Sequence, residues 1–207
     1  MNKNTIHGIF PCPINFVKRD SNLSSEEEKD IEDIIENGMY ESRGNVSSDN
    51  SNIFNDKLKN IRQFCEQQLE IYVEQIINPK QELDFYITQS WLNVTKPGGF
   101  HHEHSHQNSI ISGVFYLKTE ETDKISFIDP NGKLKDLINF DKKEFNLWNS
   151  TEWSFESVTN ELILFPSWLV HFVQPNRFAT KDRISLSFNT FARGIFGAKK
   201  DMTELIL

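Results

Sequence analysis

The chain is poor in alanine and cysteine, with 3 and 2 residues respectively, and it has no apolar run near the roughly 18 residues that a membrane-crossing helix needs. Two thiols, Cys12 and Cys65, cannot build a disulfide framework, and no CxxC pair is present. The opening residues, MNKNTIHGIFPCPINF, lack the apolar stretch and small-residue cleavage site of a secretory signal. These absences predict a reduced, cytoplasmic protein that uses no membrane. Basic residues are also short: 22 Lys and Arg stand against 30 Asp and Glu, for a net charge of −8. An acidic chain is poorly suited to a nucleic-acid backbone, so no nucleic-acid partner is expected. The dearth of Ala beside 20 Asn and 21 Ile is the codon bias of an AT-rich genome, bacterial or phage.

What is present is a core. The 207 residues are 37% hydrophobic and include 17 Phe and 4 Trp, enough for one folded domain rather than two large ones. The first 20 residues read as a strand and a turn. Ser24-Ser25-Glu26-Glu27-Glu28 reads as a helix start, since a Ser cap and acidic first turn suit the positive end of the helix dipole. Residues 41–52 read as a polar loop. The strongest helical pattern runs from Ile53 to Ile77, where Phe54, Leu58, Ile61, Cys65, Leu69, Tyr72, Val73 and Ile76 recur at three- and four-residue spacing before Pro79. From Leu83 the texture changes to short β-branched and aromatic runs, separated by turn signals such as Lys96-Pro97-Gly98-Gly99 and Asp129-Pro130-Asn131-Gly132. About eight strands at that spacing predict a sandwich or jelly roll. The expected architecture is a single domain, 1–207. Residues 1–80 form an N-terminal strand and helical cover, 81–197 the β core and 198–207 a tail, with the amphipathic helices packed on the outside of one sheet.

Four of the six histidines lie in one stretch, His101-His102-Glu103-His104-Ser105-His106. On an extended segment residues i and i+2 point the same way, so two of them can meet one metal ion. Three registers fit: His101 with Glu103, His102 with His104, and His104 with His106. A surface loop that is His-rich by chance is the bland alternative. His171 is the other His of the β region, and it stands beside apolar Phe172-Val173, where a buried imidazole needs either a core partner or a metal. Twelve residues later, Arg183-Ile184-Ser185-Leu186-Ser187-Phe188-Asn189 alternates polar and apolar side chains. That is a solvated strand, or a strand whose apolar face lies under the helices while its polar face lines a barrel. In the second case Arg183 can hold a carboxylate in a bidentate grip.

In this order the motifs resemble the Fe(II)- and 2-oxoglutarate-dependent oxygenases, and most closely a branch with His-x-His in place of His-x-Asp. The residues that carry the resemblance are Pro97-Gly98-Gly99, His104-Ser105-His106, Ser112-Gly113-Val114-Phe115-Tyr116, Phe165 to His171 and Arg183 to Asn189, with Ile9-Phe10-Pro11 also similar. The resemblance implies a double-stranded β-helix, a cupin-like jelly roll, mainly β with N-terminal helices. It implies His104, His106 and His171 as the catalytic metal ligands for Fe(II), with His101, His102 and Glu103 in the lead-in loop. It further implies 2-oxoglutarate as cosubstrate, anchored by Arg183 with Ser185, and Tyr116 as a further hydrogen-bond donor. With O2 and a substrate that the sequence does not identify, the implied reaction is a hydroxylation that releases succinate and CO2. His106 stands where the wider superfamily has a carboxylate, and Glu103 supplies one if the His101-x-Glu103 register folds inward. The competing expectations are a Zn or Ni jelly roll without oxygenase activity, and a non-enzymatic jelly roll with surface His. Substrate loops are expected around 41–52, 119–124 and 131–160. The oligomeric state stays open, a homodimer included.

Overall fold

A computed structural model of the chain describes residues 5–135, 137–138 and 140–207, so positions 136 and 139 of the 131–160 stretch, and the first four residues, lie outside the described residues. In chain order the strands are β1 (Asn15–Lys18), β2 (Met39–Ser42), β3 (Asn45–Ser48), β4 (Leu83–Thr95), β5 (His101–His104), β6 (Ile111–Lys118), β7 (Lys124–Ile128), β8 (Glu152–Glu156), β9 (Glu161–Pro166), β10 (His171–Val173), β11 (Arg183–Phe196) and β12 (Leu205–Ile206). The main helices are α1 (Ser25–Asn37) and α2 (Lys59–Tyr72). The large sheet runs β1-β9-β6-β11-β4-β3-β2, with β12 added to β11, and the small sheet runs β5-β10-β7-β8. Among the described residues no helix is long and apolar enough to cross a membrane.

Alternation along the central strands builds two separate cores. Phe115, Leu162, Leu164, Leu186 and Phe188 are buried in one cluster with Ile31 and Ile34 of α1 and Ile61, Cys65, Leu69 and Tyr72 of α2. The intervening residues, Val114, Tyr116, Ile163 and Phe165, point the other way and meet Ile125 and Phe127 of the small sheet. Strands buried on both faces lose the simple polar and apolar alternation, which is why β6 and β9 read as unbroken apolar runs. β11 keeps its alternation because its second face is polar yet buried: Arg183, Ser185 and Asn189 are all buried.

Local chemistry explains the helix boundaries. Ser24 caps α1 in a full capping box with Glu27. Glu27 is 2% exposed and also takes both ends of Arg19, at 2.9 and 3.2 Å. The long helix expected over 53–77 is shorter. Ile53–Asn55 is a single tight turn, Leu58 sits in the left-handed region at φ 55°, and α2 starts at Lys59. Leu58 pays for nothing through its own side chain; its N–H donates to Asp30 Oδ2 at 2.8 Å, and its side chain is 1% exposed. Burial of Phe54 and Leu58 thus continues the apolar stripe without a helix.

Four other segments differ from the local reading. Residues 41–52 contribute to a hairpin, β2–β3, because Gly44 at φ 90° makes the turn and β3 finds a partner in β4. The Gly44 carbonyl accepts the Phe100 N–H at 2.9 Å, and a side chain there would collide with the Phe100 ring. Leu83–Thr95 forms one 13-residue strand, because β11 pairs with it from Arg183 to Gly194, with a register shift at Asn189/Thr190. Phe145 to Trp153 is aromatic enough to read as a strand, yet it is strand only from Glu152, since Asn146 Oδ1 accepts the N–H groups of Trp148 and Asn149 and closes a turn there. At the N-terminus the strand is confined to Asn15–Lys18, and Ile6, Ile9 and Phe10 are exposed.

Leu186 is fully buried in the cluster that also holds Leu69 and Phe115, so Leu186→Ala is expected to lower unfolding free energy by about 2–5 kcal/mol. Urea unfolding followed by tryptophan fluorescence measures it, and a loss under about 1 kcal/mol contradicts the packing.

Candidate metal centre

β10 brings His171 directly opposite His104 on β5. The segment expected as a lead-in loop is therefore an edge strand of the small sheet, held by pairing to the strand that carries the distal histidine. β5 ends at His104, and His106 reaches the same place beyond the strand end, where its N–H donates to the Ser167 carbonyl at 2.9 Å. Ring centroids lie 4.3 Å apart for His104 and His171, 5.0 Å for His104 and His106, and 5.1 Å for His106 and His171. One ligand nitrogen from each of the three lies within 4.8 Å of the others.

Two of the rings have a fixed tautomer. His104 Nδ1 faces the His102 carbonyl at 2.8 Å, and His171 Nδ1 faces the Leu169 carbonyl at 3.0 Å. A ring nitrogen at that distance from a carbonyl oxygen is the protonated donor, which leaves Nε2 with its lone pair free. Burial pushes the His171 pKa down to about 3 and that of His106 to about 4, with neighbouring His rings adding to the fall; burial also lowers His104. The imidazoles are neutral at pH 7, which is the ligating form. Three imidazole nitrogens in reach of one point fit a divalent first-row metal, iron included. Among the described residues no carboxylate joins them: Glu103 is exposed and lines neither adjoining cavity. His101 does line both, with its ring 4.4 Å from that of His104, but it stands outside the converging trio.

The inner cavity beside the trio is lined by Tyr116, Arg183 and Ser185 among others. Arg183 is 6% exposed. Its polar contacts among the described residues are a 3.0 Å hydrogen bond to Thr95 Oγ1 and a 3.9 Å approach to Asp123. Asp123 is itself occupied, accepting from Asn176 Nδ2 and from the Glu120 N–H, each at 2.9 Å. A guanidinium has five N–H donors, so Arg183 keeps most of them for an anion. Burial raises the Tyr116 phenol pKa, so Tyr116 stays a proton donor at neutral pH.

A buried amide network forms the next part of the wall. Asn93 Oδ1 accepts from Ser47 Oγ at 2.8 Å and from Asn45 Nδ2 at 3.3 Å, and Asn93 Nδ2 donates to Ser187 at 3.2 Å. Sequence reasoning missed Trp91, Asn93 and Thr95, although Trp91-Leu92-Asn93-Val94-Thr95 alternates in the same way as β11. Asp123 and Asn45 carried no comparable signal, since both arrive from loop and hairpin segments far away in sequence.

The fold, two antiparallel sheets flanking the histidine trio and a buried Arg, is shared with solved structures. The chain resembles a Pseudomonas putida prolyl-4-hydroxylase at 17% identity and TM-score 0.55, over 86% of this chain and 93% of that one. It resembles HygX from Streptomyces hygroscopicus, solved with nickel and 2-oxoglutarate bound, at 10% identity and TM-score 0.57, over 86% and 82%. It also resembles a Trichoplax adhaerens prolyl hydroxylase, solved with a hypoxia inducible factor peptide fragment, at 11% identity and TM-score 0.56, over 86% and 83%. No curated protein matches the sequence. Residues 89–189 match the family described as "Putative 2OG-Fe(II) oxygenase". That stretch is just under half of the 207 residues, and over it the chain is similar to the 2OG-Fe(II) oxygenases.

Asn93→Ala removes the shared acceptor of Asn45 and Ser47 and leaves buried donors without partners. A loss of about 1–3 kcal/mol is expected in urea unfolding, against little change for the exposed Glu103→Ala.

Proposed function

We propose that His104, His106 and His171 hold the Fe(II), and that Arg183, with Ser185 and Tyr116, holds the far carboxylate of 2-oxoglutarate. The observation that carries this reading is the convergence of three neutral imidazoles at the mouth of a cavity that also holds a buried, under-partnered guanidinium. When bound, the iron couples O2 and the decarboxylation of 2-oxoglutarate to succinate and CO2 with oxidation of a substrate C–H bond. The protein's part is positional. Carbonyls of His102 and Leu169 orient the rings, and three protein ligands leave the other metal positions open to cosubstrate and O2. Thr95 sets the plane of the guanidinium, while Ser185 and Tyr116 offer hydroxyl donors in the same cavity. Val114, Ile125 and Phe165 form its apolar side and keep water out. The reaction class is hydroxylation.

In this reading residues 1–207 are one domain. Residues 81–197 form a double-stranded β-helix, and α1 and α2 cover the outer face of the large sheet, which the shared buried cluster supports. Two thiols without a disulfide suit a cytoplasmic setting. The family match favours this oxygenase over a Zn or Ni jelly roll without activity.

Two experiments test the assignment. Each of His104→Ala, His106→Ala and His171→Ala is expected to abolish stoichiometric Co(II) or Fe(II) binding, whereas His101→Ala retains it. Full metal in His104→Ala with loss in His101→Ala overturns the ligand set. Arg183→Ala is expected to keep the metal but to lose about 2–5 kcal/mol of 2-oxoglutarate affinity, read from the absorption band that 2-oxoglutarate gives with anaerobic Fe(II) protein. An unchanged band in that variant removes Arg183 from the cosubstrate site.

A further inference from the structure

We infer that the open chamber on the other side of the histidines takes a small amino-polyol as substrate, a hydroxyl-rich molecule whose ammonium group is received by Asp49. The inference rests on the oxygenase reading above and adds the substrate class to it.

The chamber has a volume of about 350 Å³, the size of a small-molecule site rather than of a long peptide groove. His101, His104 and His106 line both it and the inner cavity, so a molecule seated there faces the proposed metal from the side opposite Arg183. Its chemistry is unusual for a ligand cavity, because most are walled by apolar side chains. Among the described residues no aliphatic side chain lines this one. Ser42, Ser51, Gln89 and Asn189 offer hydroxyl and amide groups. Such a wall rewards a ligand with many hydrogen-bonding groups and penalises an apolar one, whose binding would strip water from those groups without replacing it. The two large rings are Trp91 and Tyr40, which can cover the C–H faces of a ring while their polar ends stay wet.

Charge sets the remaining choice. Among the described residues Asp49 is the one carboxylate on the wall, and neither Lys nor Arg lines it. The Asp49 side chain has no hydrogen bond or ion pair among the described residues, so its charge is unspent. Its position is built rather than incidental. The Asp49 N–H donates to the Gly38 carbonyl at 3.0 Å, and a Cβ on residue 38 would come within 2.5 Å of Asp49 Oδ1. The carboxylate thus lies directly against Gly38. An anionic substrate meets repulsion here, while an ammonium gains a charged partner.

Calorimetry on the full chain, loaded anaerobically with Co(II) and 2-oxoglutarate, tests the inference. The probes are glucosamine and 2-deoxystreptamine, with glucuronate and the peptide acetyl-Gly-Lys-Gly-amide as comparisons. Saturable binding of the two amines and none of glucuronate is expected. Asp49→Asn should weaken amine binding about tenfold or more, the loss of a charge-assisted hydrogen bond. Asp49→Lys should reverse the preference toward glucuronate, and Gly38→Ala should reproduce the Asp49→Asn loss. Glucuronate binding as well as the amines, an Asp49→Asn variant equal to wild type, or binding of the peptide alone overturns the inference. The 2-oxoglutarate titration of the same samples separates the two levels. Failure to bind 2-oxoglutarate overturns both readings, whereas 2-oxoglutarate binding without amine binding overturns the substrate class and leaves the oxygenase reading standing.

Discussion

Everything in this molecule hangs on β11 being buried on both faces with opposite chemistry. A strand presents alternate residues to opposite sides, so a one-residue slip would carry Arg183 and Ser185 under the helices and Leu186 and Phe188 into the cavity. Burying a guanidinium among Ile61, Leu69 and Phe115 without a partner costs far more than any single contact returns. The register is held by 12 paired positions against β4 and by the ladder to β6, where Ser185 lies opposite both Asn93 and Tyr116. The cation and its hydroxyl neighbours therefore share a phase that the apolar core enforces from behind.

The electrostatics of the cavity follow from what that phase brings together. The trio of imidazoles carries no charge of its own, so a divalent ion there would keep its full double charge against the protein. Arg183 adds another positive group in the same cavity, moderated by Asp123 at a distance too long for a close pair. A dianion that spanned the two would complement that charge. Asp123 is held by Asn176 and Glu120 rather than by Arg183, so it tempers the cation without closing it.

Much of this was legible in the order of motifs, and less in the local pattern. The Ser24 cap, the apolar stripe and the alternation from Arg183 to Asn189 each state their own geometry. The choice among histidine registers does not follow from i, i+2 spacing: His106 lies beyond the end of β5, and His101 approaches His104 as closely as His171 does. Residues 41–52 look like a loop because a polar hairpin at a sheet edge has no apolar face to betray it. The long helix breaks at Leu58, since the Asp30 carboxylate that satisfies its N–H comes from another helix and leaves no trace near position 58. Long-range partners of this kind are what a local reading of sequence omits.

The single hydrogen bond from the Phe100 N–H to the Gly44 carbonyl has a mechanical consequence. Phe100 immediately precedes β5, which carries His101 and His104, while Gly44 is the tip of the hairpin that borders the open chamber. The two segments are thereby tied at one point, and a shift of the hairpin tip would be felt first at the start of the strand that bears His101 and His104.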